Sequence, residues 1–234
     1  MKIIVDLFNQ HSANLEDLKR MALSAWISGA DCAKLQIFTS KSIWGDDSRK
    51  YLEMTYDQVV DFKNYCDNIG IEFAATAFDK ERVDWLESLN VKYHKVASVT
   101  SKNNTELVEY ILSKNKPTII SLGQYDDNVF PFGFDSNIKY MYCVSKYPTL
   151  LSDNRVRNMP NFNSSKYNGY SDHTLGIAAA IKSYFLGSEL LEKHFTFSNF
   201  AQRPGELAHL CSFTPETLRQ YTNLVKEFDI MKKE

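Results

Sequence analysis

Eight short β-rich runs alternate with amphipathic helical stretches along the chain, and this alternation constrains the fold more than any other feature. The runs are Ile3–Phe8, Cys32–Phe38, Glu72–Phe78, Tyr93–Ser98, Thr118–Leu122, Tyr140–Ser145, Gly169–His173 and Leu190–His194. Strict β/α alternation calls for a parallel sheet. Eight units within 234 residues favour a closed (β/α)₈ TIM barrel, class α/β, as one domain spanning 1–234. The first helix is expected from about Leu15 to Ser28, with Leu15, Leu18, Ala22, Ala25 and Trp26 on one face, Asn14 as N-cap and Gly29 past the end. Further helices are expected to begin near Tyr56, Lys80, Thr105, Gly176 and Pro215, the last announced by a Thr214-Pro215 cap. The fifth unit is irregular, because Gln124 to Gly133 has no room for a helix of ordinary length. Polar loops 38–55 and 197–213 follow strands 2 and 8, at the end of such a barrel where active sites are built.

Composition removes several alternatives. A net charge of −2, with both signs interspersed, argues against a nucleic-acid partner. No apolar run approaches the roughly 20 residues that span a bilayer, so no membrane association is expected. Cys32, Cys66, Cys143 and Cys211 are scattered without a CxxC pair, and no signal peptide precedes the first strand. The expectation is a cytoplasmic chain with reduced thiols.

Two histidines stand at the ends of consecutive strands, His173 in strand 7 and His194 in strand 8. Adjacent strands lie about 4.8 Å apart, so imidazoles at equal height can share one ion. The two-residue strand period puts Ser171 on the face of His173 and Glu192 on that of His194. Either histidine alone is more simply a satisfied core residue; paired strand tips reverse that preference. Lys34 and Gln36 share a face of strand 2, and Lys95 lies in strand 4 with Ser98 at its tip. A lysine inside a barrel is costly unless paired or facing an anion, so two of them with hydroxyls and an amide describe a phosphate-and-carboxylate pocket. Thr76 and Phe78 share a face of strand 3, and Tyr147 follows strand 6; these suit a sugar but equally suit core and turn. Lys193, alternating with His194, is expected to face outward.

Seven stretches, in order, cover nearly the whole chain and resemble the N-acetylneuraminate (sialic acid) synthase family and its legionaminic and pseudaminic acid relatives. They are Ala33–Phe38, Gly70–Asp79, Lys95–Ser98, Pro117–Gly123, Tyr147-Pro148, Gly169–Gly176 and Glu192–Thr196. The Tyr-Ser-Asp-His-Thr-Leu and Glu-Lys-His-Phe-Thr stretches are the specific ones. The resemblance implies phosphoenolpyruvate-dependent, metal-assisted condensation with a sugar aldehyde, giving a 2-keto-3-deoxy acid and phosphate. It implies that His173 and His194 hold a divalent metal, manganese first, with magnesium and cobalt as alternatives. Lys34, Lys95, Ser98 and Ser171 would grip phosphoenolpyruvate with Thr76 nearby; Gln36, Phe78 and Tyr147 would face the sugar. Asp6 stands where the family carries a glutamate close to the metal.

Departures gather on the sugar side. Asn9-Gln10-His11 and Ala13 replace a family Ile-Asn-His and glycine; Thr100 stands for a glutamate and Ser145 for an asparagine. Gly205–His209 replaces a Gly-Pro-Asp segment, with Ala208 near the aspartate's place. The chain also stops after the eighth helix, without the C-terminal antifreeze-like domain that reaches across a dimer in many relatives. A homodimer, or a separate antifreeze-like protein as partner, follows as an expectation. The acceptor is therefore expected not to be N-acetylmannosamine itself. Competing readings are a degenerate, non-catalytic sugar- or partner-binding barrel and a different metal-dependent barrel such as an aldolase or isomerase.

Overall fold

The computed structural model of the protein describes residues 1–8, 11, 13–200 and 208–232. Its strands are β1 (Lys2–Asp6), β2 (Cys32–Ile37), β3 (Glu72–Ala77), β4 (His94–Val96), β5 (Thr118–Ser121), β6 (Ile138–Cys143), β7 (Gly169–Asp172) and β8 (Leu190–His194). They pair in parallel in sequence order, and β1 closes the ring on β8 with Asp6 level with His194. The expected barrel is thus found.

The helices are α1 (Leu15–Ile27), α2 (Ser40–Trp44), α3 (Tyr56–Ile69), α4 (Lys80–Ser88), α5 (Ser98–Asn103), α6 (Thr105–Leu112), α7 (Asn154–Arg157), α8 (Ala178–Phe185) and α9 (Pro215–Met231). Their starts follow local chemistry. Asn14 Oδ1 accepts from the main-chain N–H of Glu16 and Asp17, as its position predicts. Thr55 with Gln58, and Thr214 with Thr217, form reciprocal capping boxes, and Pro215 occupies the first turn of α9. No helix joins β5 to β6, which bears out the irregular fifth unit. Three short α-helices fall outside the expected set, one of them α7 between β6 and β7. The polar loop after β2 winds into α2, capped by Thr39, and the strand expected to reach Ser98 stops at Val96 so that Ser98 opens α5.

The lumen is filled in layers. Ile4, Cys32, Ala74, Tyr93, Ile119, Met141 and Leu190 meet as a buried apolar floor. Gly169 completes it, since a Cβ there would lie 2.6 Å from Leu190 Cβ and from its carbonyl oxygen. Two residues further along each strand the same face becomes Asp6, Lys34, Thr76, Lys95, Ser121, Cys143, Ser171 and Glu192. The outward faces, including Val5, Leu35, Phe73, Ile120 and Leu191, pack against the helices in the main core. All four cysteines are buried and none forms a disulfide. Among the described residues no helix is long and apolar enough to cross a membrane.

Candidate active site

Asp6, Lys34, Gln36, Thr76, Lys95, Ser98, Tyr147, Ser171, His173 and His194 line one cleft at the C-terminal ends of the strands, so ten residues singled out from sequence converge. The cleft opens to solvent at the mouth of the barrel. Phe78 and Ser145 lie beside it rather than in its lining. Phe78 packs edge-on against Phe38 at 6.2 Å, and Ser145 Oγ is buried without a hydrogen-bond partner. Asn9, Gln10 and 205–207 lie outside the described residues; Ala208 begins a short 3₁₀ turn through Cys211.

Both lysines are buried and paired. Lys34 Nζ donates to Asp6 Oδ2 at 2.6 Å and lies 3.4 Å from Glu192 Oε1. Lys95 Nζ lies 3.0 Å from Glu192 Oε2 and donates to Ser121 Oγ at 2.7 Å. Glu192 therefore bridges the two cations, although its Oε2 receives no well-aligned hydrogen bond. Gln36 Nε2 adds a second donor to Asp6 Oδ2 at 2.8 Å. Burial alone would push the Asp6 carboxyl up, but Lys34, His194 and Gln36 outweigh it and hold Asp6 well below the usual carboxylate range. Glu192 is likewise lowered: Lys95 and Lys34 overcome its burial. The Lys34 ammonium, opposed by burial, is raised by Asp6 and Glu192. The formal charges of the two carboxylates and two ammonium groups sum to zero.

The histidines sit beside this network, His194 level with Asp6, and their ring centroids are 5.8 Å apart. Each spends its Nδ1 on a main-chain carbonyl: His173 on Val144 at 2.9 Å, His194 on Phe8 at 3.2 Å. That bond sets the tautomer in which Nε2 carries the lone pair, the arrangement typical of metal-binding imidazoles. Burial keeps His194 toward its neutral form. Burial also opposes charge on His173, but Cys143, with Sγ 3.7 Å from Nδ1, favours it, and the net direction is up. The donor set thus fits a divalent ion of the kind imidazole suits. Among the described residues no group of three or more His, Cys, Asp and Glu side chains is arranged to hold an ion. The protein would furnish two nitrogens and leave other positions to substrate and water. Tyr147 stacks at a tilt on His173, centroids 4.1 Å apart.

Ser121 and Cys143 escaped the sequence reading although they line the cleft. The period from Ile119 to Ser121 places a hydroxyl at the tip of β5 and could have found it. Gly123 is a second unread element. A Cβ there would meet Ser145 Oγ at 2.3 Å, Cys143 Sγ at 2.9 Å and Ser98 Oγ at 3.0 Å. Its bare N–H instead donates to Ser98 Oγ at 2.9 Å. Lys193 points out of the barrel as expected, yet it is buried rather than solvated, bound to Asp172.

Comparison with known proteins places these residues in context. N-acetylneuraminate-9-phosphate synthase of Mus musculus is 30% identical over 243 residues, covering 89% of this chain and 67% of that protein. N,N'-diacetyllegionaminic acid synthase of Legionella pneumophila is 28% identical, covering 96% of this chain and 71% of that one. The N-acetylneuraminic acid synthetase structure from Leptospira borgpetersenii superposes with a TM-score of 0.84 at 22% identity, over 99% of this chain and 85% of that chain. That likeness shows the barrel fold. The NeuB family model matches residues 21–234, and the chain belongs to the NeuB family.

Proposed function

We propose that this barrel condenses phosphoenolpyruvate with the open-chain aldehyde of a sugar, releasing phosphate and a 2-keto-3-deoxy acid. The observation that carries the reading is the gathering of two buried lysines and two Nδ1-anchored histidines in one cleft. Lys34 and Lys95 would bind the carboxylate and phosphate, with Ser98, Ser121, Ser171 and Thr76 as hydroxyl donors and the Gly123 region leaving them room. Because Asp6 and Glu192 already balance both lysines, these donors and an added cation must carry much of the ligand's negative charge. Held face to face, the enol carbon forms the new bond to the aldehyde carbon and the aldehyde oxygen takes a proton. Water then adds at the former enol-phosphate carbon with loss of a proton, and the bond from that carbon to the phosphate oxygen breaks as phosphate leaves and the ketone forms. A divalent ion on His173 and His194, manganese first, would supply Lewis-acid polarisation of the aldehyde oxygen.

Gln36, Phe78 and Tyr147 are assigned to the acceptor side. Thr100 is buried in α5 and Ser145 offers only a hydroxyl. These features support an acceptor other than N-acetylmannosamine. The loops after β6, β7 and β8 expose Tyr147, Leu150, Leu151, Leu175, Phe197 and Phe200, which supports a covering partner, either a second copy or an antifreeze-like protein.

Phosphate release with manganese, measured across aldoses of three to six carbons and their N-acetylated forms, tests the reading. Release should require both substrates, and kcat/KM should be higher for some aldose than for N-acetylmannosamine. His173→Ala and His194→Ala should each lose bound metal and activity while remaining folded. Full metal content in both variants would discard the ligand assignment, and no release with any aldose would favour a non-catalytic binding barrel.

A further inference from the structure

The two histidines are not held alike. His194 is the last residue of β8 and pairs directly with Asp6 of β1. His173 lies one residue beyond β7, and the registered pairing of β7 with β8 ends at Asp172 and Lys193. Backbone pairing between these two strands therefore stops one step short of the imidazoles it would need to align.

A buried ion pair stands at that point. Lys193 Nζ donates to Asp172 Oδ2 at 2.7 Å and to the carbonyl of Thr174 at 2.7 Å. Asp172 Oδ1 accepts from the Thr174 main-chain N–H and from its hydroxyl, both at 2.8 Å. One ammonium thus grips the residue before His173 and the residue after it, and its own successor in the chain is His194. The ammonium also lies 5.5 Å from the Phe213 ring centroid, whose main chain bonds to His194 and Thr196. Both side chains of the pair are fully buried. A buried pair of this kind adds little stability over apolar residues of the same volume, so its effect is better sought in geometry.

We propose that Asp172 and Lys193 are positioning residues, an ion pair on the outer side of the barrel wall that fixes the separation and tilt of the His173 and His194 rings. The inference rests on the metal reading above and names the residues that make the two-nitrogen site tight. Loss of the clip leaves both ligands in place but lets His173 wander relative to His194. The expected loss of ion affinity is about tenfold, the lower end of what removing a ligand-orienting partner costs.

The test is calorimetric titration with Mn²⁺ alone, without substrate, on the full chain. The double variant Asp172→Leu with Lys193→Met leaves no lone buried charge, so it should fold, checked by thermal unfolding, and bind Mn²⁺ about tenfold more weakly. Thr174→Val, which removes one acceptor-bound hydroxyl and no charge, should weaken binding a few-fold, and Thr174→Ser should restore it. A folded double variant with wild-type affinity overturns the proposal. Should the double variant not fold, the Thr174 pair decides: Val at wild-type affinity overturns it, and Val weakened with Ser restored supports it. Wild-type protein that takes up no Mn²⁺ overturns this and the metal reading together, whereas unchanged affinity in the variants against a binding wild type overturns this inference alone.

Discussion

The two ends of the lumen are built from the same strands, two residues apart, and they follow opposite rules. At the floor, side chains such as Ile4, Met141 and Leu190 fill space with hydrocarbon and bring no polar group to satisfy. At the mouth, Asp6, Lys34, Lys95 and Glu192 are equally removed from water but satisfy one another across β1, β2, β4 and β8. Burying a charge is costly unless it is paired, so the mouth gains little net stability from its network while the floor gains from every methylene. The contrast separates labour: the floor holds the ring closed, and the mouth holds four charges ready for a ligand. A third zone, below the floor, keeps Lys2 and Lys92 on Glu72 at the surface, where ion pairs matter least.

This separation can be broken by experiment, beginning with the mouth. Lys95→Met removes one cation and leaves Lys34, 3.4 Å from Glu192, to serve both that carboxylate and Asp6. Phosphoenolpyruvate binding measured by calorimetry should weaken by about 2–5 kcal/mol, with the fold retained. Unchanged affinity would erase the distinction between the two ends. At the floor, Ile4→Ala should lower unfolding free energy by about 2–5 kcal/mol, seen as a lower denaturant midpoint. Ligand affinity of the folded fraction should stay within about twofold, since Ile4 does not line the cleft; a large affinity loss would mean that the layers are coupled.

The smallest effect belongs to the surface zone. Burial would raise the Glu72 carboxyl, but Lys2 and Lys92 outweigh it and lower it below its ordinary value. A depressed carboxyl stabilises the fold above its unfolded-state pKa, about 4.3, and loses that stabilisation as pH falls through the folded value. Glu72→Gln should therefore cost at most about 1 kcal/mol at neutral pH, and wild type and variant should converge in stability as pH falls from the unfolded-state value through the lower folded one. A difference that grows on acidification would reverse the assignment.

Much of this arrangement was legible in the sequence for a physical reason. Period-two patterning assigns each side chain to a face, and eight such runs with capped helices between them specify the barrel. The same period, with strand order, brought His173 to His194 and Lys34 to Gln36. What stayed hidden depends on distance along the chain. Glu192 bridges lysines from β2 and β4, and no local pattern reveals a contact among three separate strands. Lys193 shows the other gap: alternation says that it faces outward, but not that Asp172, Thr174 and Phe213 enclose it there. Strand ends were overread at Ser98 because Ala97 adopts an extended conformation on its way into α5.

The closure of β1 onto both β2 and β8 has a consequence beyond the site. An open sheet ends in a row of unpaired amides and carbonyls, a template on which another molecule's strand can grow. A ring has no such border. Strand-by-strand aggregation therefore has no starting point on the folded protein, and any self-association of intact copies must run through helices and loops.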